Sequence, residues 1–162
     1  ILTHEHYDHI SGVNWFRNLW SCYVIGNENT KNMVVDPTKN LAAFLIALFV
    51  HSDKDELELV KKIMDTEYSC TADYGFVDKG EIEFGSHEIR LVNTPGHSPG
   101  SICIIVNEDI FFTGDSLIQG VKIITRLPGG NKDNYLQITK PFLDSIPKGK
   151  TIFPGHGEEF KL

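Results

Sequence analysis

Cysteine is scarce in this chain: Cys22, Cys70 and Cys103 are the only three in 162 residues. Three scattered cysteines do not make a disulfide framework, and one is left over in any pairing. A reducing, cytoplasmic setting is therefore expected. Long apolar runs are lacking too. The longest, Leu41 to Val50, has ten residues, about half of what a membrane-crossing helix needs. No signal-peptide pattern is visible, so no membrane partner is expected. Positive charge is in deficit, with 15 Lys and Arg against 22 Asp and Glu and a formal net charge of −7. Nucleic-acid binders carry a basic footprint, so nucleic acid is not an expected partner either. There is no internal repeat and no low-complexity tract. What remains, 41% hydrophobic and 23% charged residues, suits one globular domain, residues 1–162, with a sizeable core.

Against these absences stands one concentrated stretch, Thr3-His4-Glu5-His6-Tyr7-Asp8-His9, which holds three of the chain's seven histidines. Alternate side chains of an extended segment share a face. His4 and His6 can therefore point at one metal ion while Asp8 and His9 turn toward a second. A solvated polar loop gives no reason for this spacing. Three glycine-flanked turns follow, Thr94 to Gly100, Phe111 to Ser116 and Phe153 to Gly157, and carry His97, Asp115 and His156. An apolar run precedes each, which places each ligand-type residue at the end of a strand. Histidine and aspartate without thiolate are mixed nitrogen and oxygen donors that suit zinc and also accept iron or manganese.

Elsewhere the pattern predicts the scaffold. Ile1 to Thr3 reads as the end of a buried strand. A helix follows, capped by Ser11, with Val13, Phe16, Leu19 and Trp20 on a sheet-facing side. Cys22 to Ile25 reads as a short strand and Gly26 to Lys31 as a polar turn. Asp36 to Asp65 is helical in character. Pro37 lies near the start of a helix spanning Thr38 to Val50, whose face of Leu41, Phe44, Leu45, Leu48 and Phe49 is read as core packing, with a substrate wall as the alternative. A capping box of Ser52 and Asp55 precedes Leu57, Leu59, Val60, Ile63 and Met64. His51 falls between the helices as a surface residue. Alternation from Glu81 to Val92 predicts a hairpin, with His87 and Arg90 outside the ligand set. Ser101 to Val106 and Ile110 to Thr113 form a further strand pair. Asp133 to Ile146 reads as a helix with Tyr135, Leu136, Ile138 and Phe142 inward, and Thr151 to Phe153 as the last strand. This pattern supports α/β or α+β architecture.

HxHxDH followed by GHSPGS, TGDS and PGHG resembles the metallo-β-lactamase superfamily, and within it the glyoxalase II-like hydrolases, over nearly the whole chain. The resemblance implies an α+β fold, the αββα sandwich. It also implies two divalent metal ions, zinc first and iron or manganese as alternatives. His4, His6 and His97 would hold one ion, Asp8, His9 and His156 the other, and Asp115 would bridge them. An open position on each ion, filled by a shared water, marks a catalytic site. Two cations make hydroxide available near neutrality; it attacks a carbonyl whose developing charge one ion takes up while the other receives the leaving group. Asp8 and Asp115, working with that hydroxide, are the catalytic candidates. Tyr7, between two ligands, is expected to point away from them toward packing or the rim.

The expected activity is hydrolysis of a small-molecule ester or thioester, in the manner of a hydroxyacylglutathione hydrolase. Asp115 stands where true β-lactamases of the superfamily carry cysteine or serine. Leu127-Pro128-Gly129-Gly130 matches the LPGG of small glyoxalase-like members. Arg126 replaces the usual acidic residue before it, Glu158 a common proline, and the chain ends six residues after His156 where glyoxalase II has its glutathione-binding extension. Family members also carry several strands before HxHxDH, so the resemblance implies an amino-terminally truncated domain. The alternatives are a mononuclear iron enzyme like the persulfide dioxygenases, a phosphodiesterase or nuclease of the same superfamily, and a non-catalytic binding domain. Native metal, substrate and oligomeric state are left open.

Overall fold

Strand β5 (Ile102–Val106) shows why the chain forms layers: its branched apolar residues alternate across the sheet, and Ile102 through Ile105 are all buried. The computed structural model describes residues 1–162, the side chain of Leu48 excepted. Cys103 and Ile105 pack on one face with Phe111, Leu143, Ile146 and Ile152. Ile102 and Ile104 pack on the other with Leu91, against Ile25 and Phe76. Fully burying one such side chain contributes about 1.5–3 kcal/mol, and truncating Ile105 to Ala would cost about 2–5 kcal/mol.

β5 sits inside a six-stranded sheet. It comprises β3 (Lys79–Phe84), β4 (His87–Asn93), β5, β6 (Ile110–Gly114), β7 (Thr151–Pro154) and β8 (Phe160–Lys161), in that order. All neighbours are antiparallel except β6 and β7. A second, parallel pair joins β1 (Ile25–Asn27) to β2 (Tyr74–Phe76). The amino-terminal segment links the two sheets: Leu2 N donates to Ile25 O at 2.8 Å, and Ile102 N donates to Thr3 O at 2.8 Å. Around the small sheet, helices α1 (Tyr7–Ile10), α2 (Val13–Leu19) and α3 (Glu28–Met33) close a core of Leu2, Ile10, Val13, Val24 and Val34. Helix α7 (Lys140–Asp144) covers the outer face of the large sheet through Leu143. The layering is helix, sheet, sheet, helix, as expected.

Several local expectations fail, each for a physical reason. Helix formation begins at Tyr7, ahead of Ser11, so His9 lies within a helical turn. α2 starts after Gly12 without a side-chain cap. Only Val13 of its apolar stripe is buried; Phe16 and Trp20 are 50% and 56% exposed and pack on each other and Trp15, while polar residues of the same helix, Asn14 and Arg17, bond Ser69 and Asp73. Gly26 to Lys31 is not a turn. Asn27 ends β1, and its side chain accepts from Asn29 N at 2.7 Å to cap α3, as asparagine does well. Leu41 takes a left-handed φ of 69°, which breaks the expected Thr38–Val50 helix into a 3₁₀ turn (Ala42–Phe44) and the short α4 (Leu45–Leu48). Leu48, placed on its apolar face by the sequence, lies outside the described side chains. Asp53, not Ser52, caps α5 (Lys54–Ile63) by accepting from Glu56 N at 2.9 Å.

The expected helix near the carboxyl end runs through α6 (Lys132–Asn134), a π-helical segment (Tyr135–Thr139) and α7. A π turn takes up an extra residue and shifts the phase of the buried face. Thr139, Leu143 and Ile146 therefore point inward, while Leu136 and Ile138 are exposed. Arg90 is explained by a bidentate ion pair to Glu108, both contacts 2.8 Å. No helix among the described residues is long and apolar enough to cross a membrane.

Candidate metal centre

The segment entering from Leu2 bends at Glu5 between His4 and His6, His6 being extended at the start of α1, and the turn of α1 then swings Asp8 and His9 to the same end of the sheets. His97 follows β4, Asp115 follows β6 and His156 follows β7. Two glycines allow the close approach. A Cβ on Gly155 would collide with Asp115 and His9, and Gly114, at φ 50°, would press one against Thr3 at 3.0 Å.

The structure brings all seven expected residues together. Three groups have one donor atom per residue within 4.8 Å of one another: His4, His6 and His97; His4, His9 and Asp115; Asp8, His9 and His156. Asp115 lies between them. Its Oδ1 is 3.4 Å from His9 Nε2, and its Oδ2 is 3.5 Å from both His97 Nε2 and His156 Nε2. Asp8 Oδ2 is 3.1 Å from His156 Nε2. The centre is graded in exposure: the His97 side chain is 5% exposed, against 49% for Asp8 and 54% for His156. His51 and His87 lie elsewhere, His51 exposed and His87 Nδ1 2.8 Å from Asn107 Nδ2.

Whether these residues suit a metal is tested by their unmet hydrogen bonds. His4 Nε2, His6 Nε2, His9 Nε2 and Asp115 Oδ1 are buried without a partner. Buried polar atoms are nearly always paired, so four orphans at one point fit a bound cation. Protonation fits at His4, His6 and His97. Burial, reinforced by neighbouring imidazoles, holds His4 well below the ordinary histidine value, and burial with His97 lowers His6 to about 3. Both are neutral, as metal ligands must be. Burial also lowers His97, and its Nδ1 donates to Ile124 O at 2.8 Å, which leaves the Nε2 lone pair, 3.0 Å from His6 Nδ1, directed into the cluster. For His9 burial acts downward, but Asp8 and Asp115 outweigh it and the net shift is upward. For Asp8 burial acts upward, but His9 outweighs it and the carboxyl falls to about 2.

Beside the centre lies a cavity of about 650 Å³, reached by His6, Asp8, His97, Asp115 and His156. Leu41, Phe44, Leu45, Phe49 and Met64 form one wall, Ile118, Leu127 and Pro128 another. The reading of the Leu41 to Phe49 segment as core is thus corrected: the break at Leu41 turns it into a wall of this cavity. Tyr7 also lines it, edge-on to Tyr68 at 5.4 Å, its hydroxyl accepting from Asp65 N at 3.3 Å.

Sequence reasoning missed Glu5. It is fully buried, and its carboxylate receives Ser98 Oγ at 3.1 Å, Thr30 Oγ1 at 3.4 Å and Gly100 N at 3.4 Å. Burial raises its pKa while these donors oppose the shift. The signal was present in the alternation: if His4 and His6 share one face, Glu5 must face the interior.

Comparison with known proteins agrees with this geometry. The sequence model of the Metallo-beta-lactamase superfamily matches residues 1–156. The chain is 31% identical over 160 residues to the Probable metallo-hydrolase YqgX of Bacillus subtilis, covering 98% of the chain and 68% of that protein. Among solved structures, the BLEG-1 B3 metallo-beta-lactamase superposes with a TM-score of 0.80 at 25% identity, over 98% of this chain and 69% of that one. TTHA1623 in a di-iron-bound form superposes with a TM-score of 0.71 at 21% identity, over the same shares, a likeness of fold alone. With motif order, layering and site geometry in agreement, the chain belongs to the metallo-β-lactamase superfamily, whose metallo-hydrolases it resembles.

Proposed function

We propose that this protein is a metal-dependent hydrolase of a small-molecule ester or thioester, with glyoxalase II-like thioester cleavage as the leading form. The observation that carries the reading is the group of unpartnered His4, His6, His9 and Asp115 atoms beside an apolar cavity of about 650 Å³. His4, His6 and His97 would hold one divalent ion, Asp8, His9 and His156 a second, with Asp115 shared. When bound, zinc, or iron or manganese in its place, supplies Lewis acidity and makes water acidic near neutral pH. The chain's own residues then position and exclude. Ile124 O fixes the tautomer and aim of His97. Phe44, Leu45 and Phe49 present an apolar wall that takes an acyl group and keeps bulk water away. Asp8 and His156, on the exposed side, mark the approach of the substrate.

The LPGG residues Leu127 and Pro128 line the cavity, which supports the glyoxalase-like form. Lys122 is the only cation lining it among the described residues, a poor match for a phosphodiester backbone. The cysteines are all free, in keeping with a reducing cytoplasm. The test is metal analysis combined with a screen of thioesters, lactones and phosphodiesters. Two ions per chain with thioester or ester turnover support the reading. One iron per chain without hydrolysis, or phosphodiester cleavage alone, overturns it.

A further inference from the structure

A second cavity, of about 630 Å³, shares only Val121, Lys122, Ile123 and Ile124 with the first. Its character differs. Lys122, Arg126, Lys132 and Lys140 line it, and no acidic residue among the described residues does. Four of the chain's 15 Lys and Arg thus surround one small cavity in a protein of net charge −7. Lys140 is paired with Asp144 at 2.7 Å, while Lys122, Arg126 and Lys132 form no ion pair among the described residues. Between the cations the walls are apolar, with Leu117, Ile124, Tyr135 and Leu136. Tyr135 and Leu136 belong to the π-helical segment, a feature that recurs at functional sites.

This cavity is coupled by contact to the metal centre. The Ile124 carbonyl accepts from His97 Nδ1 at 2.8 Å, and Tyr135 Oη donates to the carbonyl of Ser116, next to Asp115, at 3.4 Å. A ligand spanning the Val121–Ile124 strip would have one end at the metal centre and the other among the cations. We infer that the second cavity binds the anionic part of the substrate's leaving group, a phosphate or carboxylate carried on an apolar stem, while the acyl group occupies the first cavity. The inference rests on the hydrolase reading for its chemistry and on Lys122, Arg126 and Lys132 for its charge. A neutral ligand gives no account of three unpaired cations gathered around an apolar cavity. A nucleic acid would need a groove, where this site is a cavity of small-molecule size.

Two thioesters with the same acyl group test it: octanoyl-coenzyme A, whose leaving thiol carries phosphates, and octanoyl-N-acetylcysteamine, whose leaving thiol is neutral. The variants are Arg126→Gln and Lys132→Gln, both at exposed positions. Each is expected to lower kcat/KM for the coenzyme A ester about tenfold, mainly through KM, and to leave the neutral thioester unchanged. Equal losses on both substrates, or none on either, would overturn the inference. Octyl phosphate, which lacks a thioester, gives an independent readout. It should shift the methyl NMR signals of Leu117, Ile124 and Leu136, and these shifts should weaken in Lys132→Gln. Shifted methyls without turnover of any thioester or ester in the screen would uphold the anion site and sink the hydrolase reading. Turnover with unmoved methyls would uphold the hydrolase and sink the site.

Discussion

The buried carboxylate of Glu5 accepts a hydrogen bond from Ser98 Oγ at 3.1 Å, and so ties the segment bearing His4 and His6 to the loop bearing His97. Ser98 Oγ is in turn 2.8 Å from Ser101 Oγ, and the single hydroxyl proton of Thr30 is shared between Glu5 and the Gly100 carbonyl, 3.0 Å away. Replacing Glu5 with Ala leaves Gly100 N without its acceptor and Ser98 and Thr30 with only their second partners in a dry interior, at about 1–3 kcal/mol for each donor left unpaired. Glu5→Ala should therefore melt roughly 5–10 °C below the wild type, while Glu5→Gln, which keeps an acceptor, should lose less. Thermal denaturation followed by circular dichroism decides; an unchanged Glu5→Ala melting curve would remove the tie.

Phe44 and Phe49 face the cavity beside the metal centre, and Phe44 is 49% exposed. An aromatic in the core would cost about 3–5 kcal/mol on truncation to Ala; one on a cavity wall should cost far less. Phe44→Ala is accordingly expected to change KM and acyl-chain preference while stability stays within about 1 kcal/mol. Steady-state kinetics across a series of acyl lengths, with urea unfolding alongside, separates the two. A large loss of stability with unaltered KM would return Phe44 to the core.

The seven candidate ligands were legible because ligand chemistry needs particular side chains at particular spacings, and because strand-end turns announce themselves through glycine. The β3–β4 and β5–β6 hairpins were legible for a related reason, since alternation from Glu81 to Val92 records which face is buried. What failed was set by the rest of the chain. Nothing local at Leu41 announces a left-handed φ, for leucine rarely adopts one. The apolar residues from Leu41 to Phe49 serve a cavity as readily as a core, and hydrophobicity does not distinguish the two. Phe16 and Trp20 show the converse: helical spacing predicts a stripe but not what packs against it. Glu5 escaped because attention to donors on one face of HxHxDH passed over the face behind it.

The three thiols should report the packing directly. Cys22 is exposed and Cys70 and Cys103 are buried; burial pushes Cys70 up to about 11 and Cys103 up to about 12. At pH 8 a thiol-reactive disulfide should titrate one cysteine rapidly in the native protein and all three once it is denatured. The sign of the stability effect follows. A thiol whose folded pKa is raised contributes stability that is complete below its unfolded value of 9.0 and is lost as pH rises through the folded one. The fold should thus weaken from about pH 9 toward pH 12, and Cys103→Ala should flatten that limb in unfolding measurements. Three fast-reacting thiols in native protein would contradict the buried placement.

Asp115 presents its two oxygens to His9, His97 and His156 at 3.4–3.5 Å, which makes it the one side chain whose loss touches both proposed metal positions. Asp115→Ala removes the anion that would be shared by two cations and leaves the five histidines and Asp8 to hold them. The wild type is expected to carry two ions per chain and to gain about 2.7 kcal/mol when free metal stands a hundredfold above its dissociation constant, a rise in Tm of roughly 5–10 °C. Chelation should reverse that rise and abolish turnover, with zinc, iron and manganese restoring it to different degrees. In Asp115→Ala the metal count should fall and the metal-dependent rise in Tm should shrink or vanish. His51→Ala and His87→Ala, altered outside the cluster, should match the wild type in both. Metal analysis and calorimetry on the four proteins settle the outcome. Two tightly held ions with full turnover in Asp115→Ala would show that the carboxylate bridges nothing, and undiminished activity after chelation would end the metal-dependent mechanism itself.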